Sequence, residues 1–180
     1  SPRKIGSKMA LTLDGRITGS VSGGCVENAV FEAGVESLKT KRPQLLHFGV
    51  ADETAWEVGL ACGGSLDIFV NPLDTQLFQP LHSTWTNESQ AVHLTVIRGS
   101  EEILGREMLI LENGDVKGSI GNEWNNAVLK IGKEILAQGI SRCVMLNDTV
   151  EVFLEAILPP PTLIIVGGVH IAIPLTSLAK

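Results

Sequence analysis

A chain of 180 residues with 44% hydrophobic content and positive mean hydropathy is a folded, well-packed protein rather than a disordered one. Aromatic residues make up 4% and Tyr is absent, so the core must be largely aliphatic. A net charge of −6 without a Lys/Arg stripe excludes a nucleic-acid footprint. Three cysteines exclude a disulfide scaffold and point to a reducing compartment, the cytoplasm.

The chain opens Ser1-Pro2-Arg3-Lys4, without a signal peptide or initiator Met, and reads as a piece of a longer protein. Its first elements are two β-rich runs, Met9–Leu13 and Arg16–Val21, around Asp14-Gly15, which predicts a hairpin with a two-residue type I′ turn. A helical face of Val26, Ala29, Val30 and Ala33 follows, then a strand at Leu45–Phe48 and another at Leu66–Val70. Gln76–Trp85 predicts a helix, and Gln90–Arg98 alternates like a strand.

Then the pattern returns. Gly6-x-x-Met9, Asp14-Gly15 and Gly19-Ser20-Val21 recur 99 residues later as Gly105-x-x-Met108, Asn113-Gly114 and Gly118-Ser119-Ile120. A second helical face (Val128, Ile131, Ile135, Leu136) and strands at Cys143–Leu146 and Val150–Leu154 complete the repeat. The unit is hairpin, helix, strand, strand, used twice. This predicts a pseudo-symmetric α+β domain with mixed sheets over residues 1–158, repeat one spanning about 1–74 and repeat two about 89–158. A strand matching Gln90–Arg98 would precede Ser1.

Residues 159–162 form a Pro-rich linker. Ala156–Ala179 carries no charged residue, but Pro159, Pro160, Pro161, Pro174 and Gly167-Gly168 break it, so it is not a membrane span. Thr162–Val166 reads as a buried parallel strand. It turns at Gly167-Gly168 into a helix from about Val169 that Pro174 bends or delays: the opening of an incomplete Rossmann-like domain over 163–180. Val169 stands where the dinucleotide fingerprint has its second glycine and would obstruct a pyrophosphate.

The two repeats differ where chemistry is expected. Repeat one has Ser22-Gly23-Gly24-Cys25-Val26-Glu27, and repeat two has Gly121-Asn122-Glu123-Trp124-Asn125-Asn126. Glycines between a strand and a helix N-terminus let backbone N–H groups meet an anion. Cys25 in that first turn is either a stabilised thiolate able to ligate a soft metal or a small core residue. Glu27 either offsets the helix dipole or hydrogen-bonds a pterin-like ring. Repeat one also carries Ala61-Cys62-Gly63-Gly64, where Cys62 is a buried turn thiol or a second thiol facing Cys25. Asp52-Glu53 offers loop carboxylates, and Arg3 and Lys4 form a solvated terminus or a phosphate contact. His47 and His82 read as solvated or packed, and Cys143 reads as structural.

Ser1-Pro2-Arg3, Gly6-x-x-Met9, GSVSGGCVE (Gly19–Glu27) and ACGG (Ala61–Gly64) resemble the xanthine dehydrogenase accessory factor family, XdhC/CoxI. LIIVGGVHIA (Leu163–Ala172) is similar to the start of that family's C-terminal Rossmann domain. The resemblance implies a cytosolic chaperone, not itself an enzyme, that binds molybdenum cofactor (molybdopterin), assists its sulfuration and delivers it to a molybdenum hydroxylase such as xanthine dehydrogenase. A cysteine desulfurase is a further candidate partner, and the apolar segment after Pro161 favours association or domain swapping into a homodimer, since a lone strand and half helix cannot bury themselves. Carried over by position, Ser22, Gly23, Gly24, Cys25, Glu27, Cys62, Gly63 and Gly64 become cofactor-site residues, Cys25 and Cys62 facing the molybdenum. Gly167 and Gly168 would meet NAD(P) or another nucleotide. Two other readings stand: an NAD(P)- or flavin-dependent oxidoreductase in a longer parent, and a scaffold or dimerisation module whose cysteines only pack.

Overall fold

The computed structural model describes residues 3–49 and 65–179. Repeat two is built on an antiparallel five-stranded sheet, order β7-β6-β5-β9-β8, from β5 (Ala91–Arg98), β6 (Glu107–Leu111), β7 (Val116–Gly118), β8 (Arg142–Met145) and β9 (Glu151–Ile157). Strand alternation gives β5 two buried faces. Val92, Leu94 and Val96 meet Met108, Ile110, Val152 and Leu154 under the helix Asn122–Gln138, which contributes Val128 and Ile135. On the reverse face, Ala91, Leu109 and Ile157 pack with Leu77 and Leu81 of the helix Thr75–Thr86. The Asp74 carboxylate caps that helix, accepting from the backbone N–H of Gln76 and Leu77. In chain order the described helices are α1 (Glu27–Thr40), α2 (Thr75–Thr86), α3 (Asn122–Gln138) and α4 (Ala172–Leu178).

Repeat one has the same parts in a looser arrangement. β1 (Met9–Leu11) pairs with β2 (Ile17–Gly19), and β3 (Gln44–Phe48) with β4 (Leu66–Val70), as two separate two-stranded sheets on α1. Among the described residues no strand joins β1 to β4 as β5 joins β6 to β9. The core of repeat one is correspondingly smaller: five buried apolar residues (Val21, Val26, Val30, Ile68, Val70), against eleven in the α3-side core of repeat two. Met9 and Leu11 are half-buried where their equivalents Met108 and Ile110 are fully buried.

One close contact recurs in both repeats. A Cβ on Gly34 of α1 would lie 2.3 Å from Leu11, and one on Gly132 of α3 would lie 2.4 Å from Ile110. Each helix thus carries a glycine so that the hairpin strand can lie against it. The spacing of the matched residues drops from 99 in the hairpins to 98 in the helices, so the turn between them is one residue longer in repeat one.

Three expectations are corrected. Every described strand pair is antiparallel rather than mixed, because α3 carries the chain from edge strand β7 to the opposite edge, where β8 pairs only with β9. The hairpin loops have three residues, not two. Thr12 N–H bonds to Arg16 C=O and Leu111 N–H to Asp115 C=O, and only the glycines of the Asp-Gly and Asn-Gly pairs take positive φ (+87° for both Gly15 and Gly114). Finally, Thr162–Val166 is not a strand. Leu163 and Ile164 are 51% and 80% exposed, since no described strand lies beside them to pair with. α4 starts at Ala172, which puts Pro174 in the first turn, where its missing N–H costs nothing. No described helix is long and apolar enough to cross a membrane.

The hairpins close tightly. Gly118 has φ +78°, and a Cβ there would lie 2.5 Å from the Glu107 carbonyl oxygen, whereas Gly114 (φ +87°) has open space around it. Gly114→Ala should therefore cost about 1–2 kcal/mol, the left-handed backbone penalty alone. Gly118→Ala should cost more than Gly114→Ala. Urea unfolding of the two variants checks the order; equal losses would contradict it.

Candidate functional site

The segment Ser22–Glu27 links β2 to α1. Gly23 (φ +88°) and Gly24 (φ +115°) adopt backbone that side chains rarely take, and among the described residues nothing lies within 4 Å of where either Cβ would be. The path of the chain therefore requires glycine at both positions.

That path wraps five donors around one carboxylate. Glu27 Oε1 accepts from Ser20 Oγ at 2.7 Å and from the Ser22 and Gly23 backbone N–H at 3.0 Å each. Oε2 accepts from Gly24 N–H at 2.9 Å and from Ser22 Oγ. Ser22 Oγ in turn accepts from the N–H groups of Cys25 (3.0 Å) and Val26 (3.1 Å). Burial alone would raise the pKa of Glu27, but the bonds from Ser22, Ser20 and the turn amides outweigh it and hold the carboxyl well below the usual carboxylate range. Repeat two does the same with a neutral group and fewer donors. Asn125 Oδ1 accepts from Ser119 Oγ (3.2 Å) and Ile120 N–H (3.3 Å).

The sequence pattern predicts that the turn offers its N–H groups to a bound anion. In the structure those of Ser22, Gly23 and Gly24 donate to Glu27. Cys25 is a free, half-buried thiol against the small core of repeat one. Phe48 and Leu66, which flank residues 49–65, pack against the same cluster. Cys62, Gly63 and Gly64, and Asp52-Glu53 with them, lie outside the described residues.

The remaining candidates stand apart. Cys143, expected to be packed, is exposed on edge strand β8, and its thiol is pushed up by partial burial and by the Glu151 and Asp67 carboxylates. His47 faces Asp67 across β3–β4, with Nδ1 2.5 Å from Oδ1, both more than half exposed. His82 lies on α2 beside Phe78 and Thr86. Gly167 and Gly168 are exposed in the segment before α4. No group of three or more His, Cys, Asp or Glu able to hold a metal occurs among the described residues. A cleft of about 440 Å³, lined among others by Lys41, Asn71, Arg106 and Glu107, lies between the repeats and includes none of Ser22–Glu27.

One cluster escaped the sequence reading. β5, β6 and β9 each place an ionisable side chain on the sheet face away from α3: His93, Glu107 and Glu155, with 13–17% of each side chain exposed. His93 Nε2 lies 3.3 Å from Glu107 Oε1, its Nδ1 3.7 Å from Glu155 Oε2, and Lys8 Nζ reaches Glu155 Oε2 at 2.5 Å. Lys8 and Glu107 are equivalent positions of the two repeats, so the cluster ties the first hairpin to the second sheet. The usable signal was a charged residue in each of three strands otherwise rich in apolar residues. Burial opposes protonation of His93, but Glu107 and Glu155 outweigh it and the pKa is raised. The stabilisation this supplies is fully present below the unfolded value of about 6.5 and is lost as pH rises through the folded value. The urea midpoint of the wild type should therefore fall as pH rises from about 6.5 through the raised folded value, and His93→Gln should flatten that slope. Identical slopes would contradict the role given to the cluster.

Residues 1–49 match the model of the XdhC and CoxI family. The molybdenum cofactor insertion chaperone PaoD of Escherichia coli K12 is 34% identical over 80 residues, 44% of this chain and 24% of that protein. A probable xanthine dehydrogenase subunit of Bacillus subtilis 168 is 26% identical over 98% of this chain and 52% of its own length. The uncharacterized protein YqeB of Escherichia coli K12 is 35% identical over 65 residues, 36% of this chain and 12% of its own. The chain thus spans between 12% and 52% of these relatives. In fold, it matches the crystal structure of a xanthine dehydrogenase from Bacillus halodurans, with a TM-score of 0.62 and 20% identity over 88% of this chain and 45% of the other. The likeness to the XdhC and CoxI family falls on the first 49 residues, which hold the Ser22–Glu27 turn.

Proposed function

We propose that this chain is the cofactor-handling part of a cytoplasmic accessory protein, one that binds molybdenum cofactor as cargo, assists its sulfuration and passes it to a xanthine dehydrogenase-type hydroxylase. The observation that carries this reading is the placement of Cys25. It sits on a turn that is one residue longer in repeat one than in its twin, within the 49 residues that match the family model. The name of the PaoD relative supports the cargo, and that of the Bacillus subtilis relative supports the client class.

In this reading Cys25 supplies a soft sulfur donor to the metal–dithiolene end of the cofactor. Cys62, with Gly63 and Gly64, is proposed to bring a second thiol, because both flanks of its connection pack on the cluster that Cys25 touches. A cysteine desulfurase would supply the sulfur. Leu163–Ala172 is proposed to open a Rossmann-like unit; Val169 argues against a pyrophosphate at Gly167-Gly168.

Cys25→Ala, expressed in a host that makes the cofactor and purified without oxygen, is expected to lose at least about tenfold in bound molybdopterin, equivalent to ~1.4 kcal/mol of binding. Its thermal midpoint should stay close to that of the wild type. Unchanged molybdopterin in the purified variant would overturn the reading.

A further inference from the structure

The one-residue difference between the repeats explains why the turn needs a carboxylate. In repeat two, Asn125 satisfies one backbone N–H and one hydroxyl, and a neutral amide suffices. The longer turn of repeat one points three backbone N–H groups and two hydroxyls at the same place. Converging N–H groups of this kind form an anion site. Glu27, the first residue of α1, brings the anion from within the chain.

We propose that Glu27 is a positioning residue, the resident anion of this turn. Its carboxylate closes the turn to a ligand's phosphate and, through Ser22, sets the backbone that presents Cys25. Three observations converge on this. Every N–H from Ser22 to Val26 ends on Glu27 or on Ser22 Oγ, so none is left for a bound oxyanion. Ser22 Oγ donates to Glu27 while accepting from Cys25 and Val26, which couples the carboxylate to the thiol-bearing residue in one step. Among the described residues nothing lies within 4 Å of the Cβ positions of Gly23 and Gly24, while their amides face inward onto Glu27.

The consequence for specificity rests on the reading of Cys25 as the cofactor contact. Cargo is then selected by its sulfur- and metal-bearing end, and the phosphate end is held elsewhere. Glu27 need not touch cargo to matter: removing it frees the amides and loosens the backbone of Cys25.

Inorganic phosphate is the probe. In the full chain, titration followed by the amide resonances of Ser22, Gly23 and Gly24 is expected to show no saturable shift for the wild type. Glu27→Ala should acquire phosphate binding on those amides, at least about tenfold tighter than any wild-type response. Glu27→Gln, which preserves shape and removes charge, should label at Cys25 several-fold faster than wild type, with Cys143 as the unaffected internal control. Should Glu27→Ala fail to fold, the wild-type titration and the Glu27→Gln labelling decide. Saturable phosphate binding to the Gly23 and Gly24 amides of the wild type would overturn the proposal. So would a folded Glu27→Ala whose amides ignore phosphate, or unchanged Cys25 labelling in Glu27→Gln. None of these measurements involves the cofactor, so their failure is distinct from failure of the Cys25 assignment.

Discussion

The described fold depends on β5 being buried on both faces and paired on both edges. Val92, Leu94 and Val96 are fully buried on one face and Ala91 on the other, with β6 and β9 as neighbours. Each large aliphatic side chain so buried contributes about 1.5–3 kcal/mol relative to exposure. That strand turns two hairpin-like pairs into one sheet and lets α2 and α3 pack from opposite sides. Repeat one has the pairs and the helix without such a strand among its described residues, and its core is smaller as a direct result. The Lys8–Glu155–His93–Glu107 cluster and the approach of Gly6 to Phe153 then rest the lighter repeat on the heavier one.

This division of labour suits a site. Both departures of repeat one from its twin, the longer Ser22–Glu27 turn and the longer connection between β3 and β4, begin and end on one small core. In repeat two the corresponding connection closes within a few residues, Leu146 N–H bonding to Val150 C=O. A duplicated scaffold thus holds its common parts rigid and varies two adjacent connections, the pattern expected when function lives in loops on a packed frame. The carboxylate of Glu27 is what makes the first of these loops a defined shape.

Much of this was legible in the chain. The repeated Gly-x-x-Met, Asp/Asn-Gly and Gly-Ser signals found both hairpins, and alternation from Gln90 to Arg98 found β5. What escaped was non-local. Strand order depends on where α3 delivers β8, which no local pattern reports. The loop type was misjudged because Asp-Gly and Asn-Gly serve a three-residue loop as readily as a two-residue one, the difference lying in which partners pair beyond them. Thr162–Val166 looked like a strand because it is apolar and β-branched, but a strand needs a neighbour. The role of Glu27 was hidden because its donors precede it by three to seven residues and meet it only once the glycines turn. The drop from a spacing of 99 to 98 between Gly19/Gly118 and Gly34/Gly132 was readable, and it marked the altered turn.

Whether cargo meets the thiol that this turn presents decides the central claim. Differential alkylation with mass-spectrometric readout, in the presence and absence of molybdenum cofactor, addresses that at single-residue level. The expected result is that cofactor protects Cys25 while Cys143, on its exposed edge strand, labels equally in both states. Equal labelling of Cys25 with and without bound cofactor would contradict it.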